Sequence, residues 1–379
     1  MTSPEQNSPG KDKLLFTPGP LTTSESVKQA MLRDLGSRDT AFIATIGKIR
    51  DGLLGLAGLS QEQGYECVLM QGSGTFGVES VIGSAISPGG KLLVVINGSY
   101  GERILKIAGV LGIECEALRC EENRKTDPAE VARCLQEDES ITAVAIVHCE
   151  TTTGIINPVE ETGSVVRAAA KTYIVDAMSS FGAVELDVRA AEIDFLVSSA
   201  NKCIEGVPGF SFAICRSGAL DSCEGQARSL SLDLFAQWQG LESNGQFRFT
   251  PPTHTILAFE KALAELIEEG GVSGRAARYR GNYETLVEGM GELGFKEYLE
   301  REDQGHIITS FRYPSHPAFD FTGFYTRLSE KDLVIYPGKV SNADCFRIGN
   351  IGHIQKEDVQ GLLGAIASVL KEMGIDNGS

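Results

Sequence analysis

An α/β fold is what this sequence predicts: a mostly parallel sheet with helices on both faces, followed by a smaller α+β unit. From residue 65 onward short apolar runs alternate with helical stretches, the rhythm of successive βαβ units. Beyond about residue 280 that rhythm gives way to a mixed pattern of strands and helices. With 379 residues, 42% of them hydrophobic, the chain is long enough to bury a full core and to form both units.

The first strand of the alternating region is "YECVLM" (65–70), and the helix "FGVESVIGSAI" (76–86) follows it. Next come strand "LLVVIN" (92–97), helix "GERILKIAGVLG" (101–112) and strand "IECEAL" (113–118). The alternation continues with helix "DPAEVARCLQ" (127–136), strand "ITAVAIVH" (141–148), helix "VEETGSVVRAAA" (159–170) and strand "TYIVDA" (172–177). The apolar run "DFLVSSA" (194–200) ends at Asn201 and Lys202, and "GFSFAICR" (209–216) follows so closely that the sheet is expected to turn antiparallel there. A long helical region over 253–293 is interrupted by "EEGGVSG". After it the pattern reads "HIITSFRYP", "FDFTGFYTRLSEK", "LVIYPG" and "DCFRIG", closed by the amphipathic helix "KEDVQGLLGAIASVLKEMG". The expected organisation is a disordered tail over 1–13, a large domain over 14–280 and a small domain over 281–379.

Composition narrows the function classes. A formal charge of −17 argues against a nucleic-acid or anionic-membrane surface, because such partners need a positive face, although local basic sites for small anions remain open. No apolar stretch reaches transmembrane length, and the start "MTSPEQNSPGKDK" carries no hydrophobic signal region, so the cytoplasm is the default location. Nine cysteines include no Cys-x-x-Cys pair and read as reduced thiols, and no metal is expected.

In an open parallel sheet ligands bind beyond the carboxyl ends of the strands, and four such positions carry chemistry. The turn "QGSGTFG" (71–77) offers the Ser73 and Thr75 hydroxyls, the small Gly74 and the free N–H groups of a helix start, a fit for a phosphate. Its Gly72, Gly74 and Gly77 also match a dinucleotide fingerprint, but the next strand ends in Asn97 where an acidic residue should hold a ribose. A glycine turn with no ligand is the plain alternative. Asp176 emerges from an apolar strand and needs a partner such as a protonated ring nitrogen, or else serves as a cap. Lys202 stands at the mouth of a strand, where crowding lowers amine basicity and lets it condense with a carbonyl; otherwise it snorkels to solvent. Arg347 in "DCFRIGNIG" can capture an acid bidentately or sit in a structural ion pair. Jointly the four supply what a pyridoxal phosphate enzyme needs. A nicotinamide-dependent dehydrogenase is the alternative from another class.

These residues also resemble a family, the class V aminotransferases of the large pyridoxal phosphate fold (fold type I). The resemblance runs from "LLFTPGPLTTSESVKQAM" through "QGSGTFGVES", "HCETTTGIINP", "VDAMSSFGA", "SSANKCIEGVPGFSF" and "FRFTPPTHTILAFEKAL" to "YPGKVSNADCFRIGNIG". It implies a seven-stranded type of sheet and pyridoxal 5'-phosphate as cofactor. It further implies Lys202 as the cofactor-bearing lysine, Asp176 as partner of the ring nitrogen, and Ser73, Gly74 and Thr75 around the phosphate. Tyr100 would stack on the ring, Thr151 would lie near the ring hydroxyl, and Asn201 beside the lysine. Thr250 would reach the phosphate of the neighbouring subunit in a homodimer with a shared site. Arg347 would bind the acidic end of the substrate, with Arg33 and Arg38 as next candidates. Tyr100 and Thr75 stand where glyoxylate-using relatives often carry tryptophan and histidine, which fits the phosphonate branch of the family. That branch transfers an amino group from 2-aminoethylphosphonate to pyruvate; the alternative within the family is an alanine- or serine–glyoxylate aminotransferase.

Overall fold

The structure, a computed structural model, describes residues 12–375. Of the tail expected over 1–13, residues 1–11 lie outside the described residues. The chain enters with a two-residue strand β1 (Leu14–Leu15), a short helix α1 (Glu25–Ala30) and a longer α2 (Thr40–Leu56). Ser24 and Asp39 start the two helices, their side chains accepting hydrogen bonds from the N–H groups of Val27 and Ala41. These three elements add to the set the sequence predicts. α2 buries Phe42, Ile46, Ile49 and Leu53, spaced three and four apart on one face.

The alternating region then unfolds as expected. β2 (Tyr65–Gln71), α3 (Gly74–Ala85), β3 (Lys91–Ile96), α4 (Ser99–Val110), β4 (Glu114–Arg119), α5 (Pro128–Glu137) and β5 (Ile141–Val147) come in turn. A small hairpin of β6 (Cys149–Glu150) and β7 (Ile155–Ile156) precedes α6 (Val159–Ala168), β8 (Thr172–Asp176), β9 (Phe195–Ser199) and β10 (Phe210–Arg216). Seven of these strands form one sheet in the order β2-β10-β9-β8-β5-β3-β4. β10 runs antiparallel to both its neighbours and the other strands run parallel, so the reversal expected near residue 210 is present. Every residue of β9 is buried, as a strand covered on both faces requires, whereas β4 at the sheet edge exposes Glu114 and Arg119.

Four helices follow: α7 (Ser217–Asp221), α8 (Leu234–Asn244), α9 (Thr253–Glu268) and α10 (Gly271–Glu292). α9 and α10 break where the glycine-rich interruption was expected. The remainder holds β11 (Ile308–Arg312), α11 (Phe321–Glu330), β12 (Leu333–Val334), β13 (Tyr336–Pro337), β14 (Cys345–Gly349) and α12 (Lys356–Glu372). A three-stranded antiparallel sheet β11-β14-β13 packs its apolar face on a second core centred on Phe346, Phe324, Phe295 and Phe311. Phe16 inserts into this second core, and β1 pairs in parallel with β12, so the N-terminal segment ties the two layers together. No helix among the described residues is long and apolar enough to cross a membrane, and no cluster of metal-ligating side chains occurs among them. All nine cysteines are free thiols.

One consequence of the topology positions everything that follows. The carboxyl ends of β2, β3, β5, β8 and β9 share one edge of the sheet, and the segments leaving β2, β3, β8 and β9 line a common cavity.

Candidate active site

The cavity at that edge has a volume of about 210 Å³. Seven residues singled out in the sequence line it: Ser73, Gly74, Thr75, Tyr100, Asp176, Asn201 and Lys202. They arrive from four different strand ends. Ser73 is the N-cap of α3, and its hydroxyl is not spent on capping the helix. Together with the unpaired N–H groups of the first helical turn, that free hydroxyl forms a cradle for an anion. Arg103, one turn into α4, also lines the cavity and donates to Thr75 Oγ1 at 3.4 Å.

Asp176 is the last residue of β8 and only 6% exposed. The Met178 N–H donates to its Oδ1 at 2.9 Å. Burial pushes its carboxyl up to about 6, and neither that hydrogen bond nor the nearby Lys202 offsets the cost. A buried carboxylate so poorly compensated calls for a cationic ligand group, and a protonated ring nitrogen meets that need.

Lys202 lies three residues beyond β9, walled in by protein and open only to the cavity. Burial lowers its amine, with Tyr100, Cys203 and Asp176 acting in opposition. Its Nζ donates to the Pro18 carbonyl at 2.6 Å, so the segment "TPGP" (17–20) forms a cover over the amine. Gly19 makes that cover possible. Its φ is +106°, and a Cβ there would stand 2.9 Å from both Cδ and Nζ of Lys202.

The loop carrying the lysine is held from below. Arg275, 1% exposed, donates to the Cys203 carbonyl at 2.6 Å and pairs with Glu205 and Glu269. Arg278 pairs with the same two carboxylates and donates to the Gly352 carbonyl, just past β14. The lysine loop and the segment following Arg347 are therefore anchored on one buried ion cluster.

Tyr100 sits in the first turn of α4, where Glu150 fixes the backbone. This carboxylate is fully buried and accepts from the N–H groups of Tyr100, Gly101 and Thr152 and from the Thr152 hydroxyl. Burial raises the Glu150 carboxyl against those four bonds. Thr151 is buried beside Tyr100, and its carbonyl accepts from Arg347 Nη1 at 2.7 Å. Arg347, from β14, also donates through Nε to the Pro337 carbonyl at 3.0 Å. Burial would raise the Tyr100 phenol, yet Lys202, Thr151, Lys339 and Arg347 together hold it below its ordinary value.

Five of the expected residues, Thr151, Arg347, Thr250, Arg33 and Arg38, do not line the cavity. Thr250 is exposed, and its carbonyl accepts from the Gln71 side chain at the end of β2. Arg33 and Arg38 are exposed as well. Conversely, Gly19, Arg103, Glu150 and the Arg275–Glu205 pair go beyond the residues singled out in the sequence. Glu150 carried a readable signal, a lone acid between an apolar strand and a run of threonines. The contact of Gly19 with Lys202 joins residues far apart in the chain and leaves no local trace.

Comparison with known proteins identifies the family of the chain. Residues 24–340 match the family described as aminotransferase class-V. A 2-aminoethylphosphonate–pyruvate transaminase of Vibrio vulnificus (strain CMCP6) is 54% identical over 359 residues, covering 94% of this chain and 97% of that protein. One of the same description from Salmonella schwarzengrund (strain CVM19633) is 51% identical over 362 residues, covering 95% of this chain and 98% of the other. Among solved structures, ureidoglycine–glyoxylate aminotransferase from Bacillus subtilis superposes with a TM-score of 0.90 at 23% identity, covering 98% of this chain and 97% of that one.

Proposed function

The chain belongs to the class V aminotransferases, and from that premise we propose that it binds pyridoxal 5'-phosphate and transfers the amino group of 2-aminoethylphosphonate to pyruvate, giving phosphonoacetaldehyde and L-alanine. The observation that carries this reading is the convergence of Lys202, Asp176 and the Ser73–Thr75 turn on one cavity, in a chain 54% identical to a transaminase of that description. The residues fit the cofactor. The α3 N-terminus, Ser73, Gly74, Thr75 and Arg103 suit its phosphate, Asp176 its ring nitrogen, Tyr100 its ring face, Thr151 its ring hydroxyl, and Asn201 stands next to the lysine. When bound, the cofactor supplies an aldehyde for the amine and an electron sink for the carbon that loses its proton.

The remaining work falls to side chains of this protein. Lys202 Nζ would hold the cofactor and, once free, would serve as the base that takes the proton from the carbon bearing the substrate nitrogen. Burial lowers the basicity of the amine and so favours the neutral form that can accept that proton. Asp176 would face the ring nitrogen and, ionised there, would hold that nitrogen protonated. Arg347 pairs two oxygens of the substrate acid, a phosphonate in one half of the cycle and a carboxylate in the other. The "TPGP" cover over Lys202 limits water at the amine.

The site is also proposed to be completed by a second copy of the chain. Thr250, between α8 and α9, is exposed and bonded through its carbonyl to Gln71 at the end of β2; the neighbouring Phe249 and, in the first turn of α3, Phe76 are also exposed. Apolar rings so placed suit a subunit contact that brings Thr250 to the partner's phosphate.

A substrate panel tests the reading. Purified, cofactor-loaded protein given 2-aminoethylphosphonate and pyruvate is expected to form alanine. Turnover of serine or alanine with glyoxylate, without turnover of the phosphonate pair, would replace the assignment by a glyoxylate-type aminotransferase.

A further inference from the structure

Arg347 alone does not account for the positive charge gathered around Tyr100, the cavity residue that faces the small sheet; Lys339 itself lines a neighbouring recess with Glu102 and Glu122. The Lys339 ammonium lies 4.7 Å from the centroid of the Tyr100 ring, and the Arg103 guanidinium lies 4.7 Å from the same centroid. Arg347 and Lys202 act on the same phenol, lowering it together with Lys339. In a chain whose formal charge is −17, cations from the large sheet and from the small one converge on a single ring. Among the described residues, neither Lys339 nor Arg347 forms an ion pair with a carboxylate; Arg347 donates to the Pro337 and Thr151 carbonyls and is hydrogen-bonded to the Tyr100 phenol. Two cations left unneutralised at one point invite a ligand carrying more than one negative charge.

The backbone holds Lys339 in this place. Pro337, two residues earlier, accepts from Arg347 Nε at 3.0 Å. Gly338 packs against the start of β14 so closely that a Cβ would stand 2.1 Å from the Cys345 carbonyl oxygen. On the far side, the Ser341 N–H and hydroxyl donate to Glu122 Oε2 at 2.8 and 2.9 Å. The stretch "YPGKVS" (336–341) is thus tied to β14 at one end and to the large sheet at the other, with Lys339 between the two ties.

The geometry points to Lys339 as a specificity-determining residue, a second cation that engages the third oxygen and extra charge of a phosphonate, while Arg347 pairs the two oxygens that phosphonate and carboxylate share. This inference rests on the aminophosphonate reading above. A carboxylate has no third oxygen and feels Lys339 only as a screened, exposed charge. The two halves of the reaction therefore depend on Lys339 unequally.

Calorimetric titration of the cofactor-loaded enzyme with ethylphosphonate and with propionate tests this without requiring turnover. Lys339→Ala is expected to weaken ethylphosphonate binding about tenfold or more, the loss of one charged hydrogen bond. Propionate binding should change by less than about threefold, and Lys339→Arg should restore phosphonate binding. In steady-state assays the same variant should raise KM for 2-aminoethylphosphonate and leave KM for pyruvate nearly unchanged. Equal weakening of both acids, an unchanged affinity for ethylphosphonate, or no ethylphosphonate binding by the wild type would overturn the inference. Should the wild type bind ethylphosphonate in a Lys339-dependent way yet form no alanine from the phosphonate pair, the proposed reaction fails and the role of Lys339 stands.

Discussion

Replacing Asp176 with asparagine is expected to stabilise the cofactor-free protein at pH 8 while abolishing its activity. The carboxyl is 6% exposed, and its one hydrogen bond from the backbone comes from Met178 at 2.9 Å, which an asparagine oxygen can accept equally well. Burial moves the folded-state carboxyl from 3.8 to about 6, roughly two units, which at about 1.4 kcal/mol per unit corresponds to about 3 kcal/mol. The sign follows from linkage: the folded carboxyl binds its proton more tightly than the unfolded one. Its contribution is therefore complete below 3.8 and is lost as the pH rises through about 6. Asparagine carries no charge at any pH and escapes that loss. Urea unfolding of cofactor-stripped wild type and Asp176→Asn should show a gap of about 3 kcal/mol at pH 8 in favour of the variant, about half of it at pH 5. Transamination by the loaded variant should fall by orders of magnitude, because asparagine cannot hold a ring nitrogen protonated. A variant no more stable than wild type at pH 8 would refute the view that Asp176 is an uncompensated buried charge awaiting a cationic ligand.

Other perturbations probe the remaining parts. Lys202→Ala should lose the covalent cofactor link and nearly all turnover, checked by absorbance and alanine formation. Arg347→Ala should weaken both substrates by about 1.5–3 kcal/mol for each charged hydrogen bond lost, read from KM in each half-reaction; an effect on only one would mean two separate acid sites. Glu205→Gln removes a carboxylate shared by Arg275 and Arg278 in a buried cluster and should cost about 3 kcal/mol in unfolding experiments. Gly19→Ala places a Cβ 2.9 Å from Lys202 Nζ at a φ of +106° and should lower cofactor occupancy, measured spectroscopically after gel filtration.

How much of this was legible in the sequence depended on the range of the interaction. The seven strands of the large sheet were readable because covered parallel strands write continuous apolar runs, and the antiparallel turn of β10 showed in its short link to β9. Asp176 and Lys202 stood out as charges closing such runs. α2 carries an equally readable stripe at Phe42, Ile46, Ile49 and Leu53 but lies ahead of the alternating region that signalled the fold. β1 and β12 are two residues each, too short to carry any periodicity, and exist only because they pair across the chain. Gly19 over Lys202, Arg275 under Cys203 and Lys339 against Tyr100 are contacts between distant segments, and tertiary packing alone creates them.

The most direct test of the central claim is chemical. Borohydride reduction of the cofactor-loaded protein, followed by proteolysis and mass spectrometry, locates the lysine that carries the cofactor. The expected result is a reduced pyridoxyl group on the peptide containing Lys202. An adduct on another lysine, or none after loading, would contradict the assignment of this cavity as the transamination site.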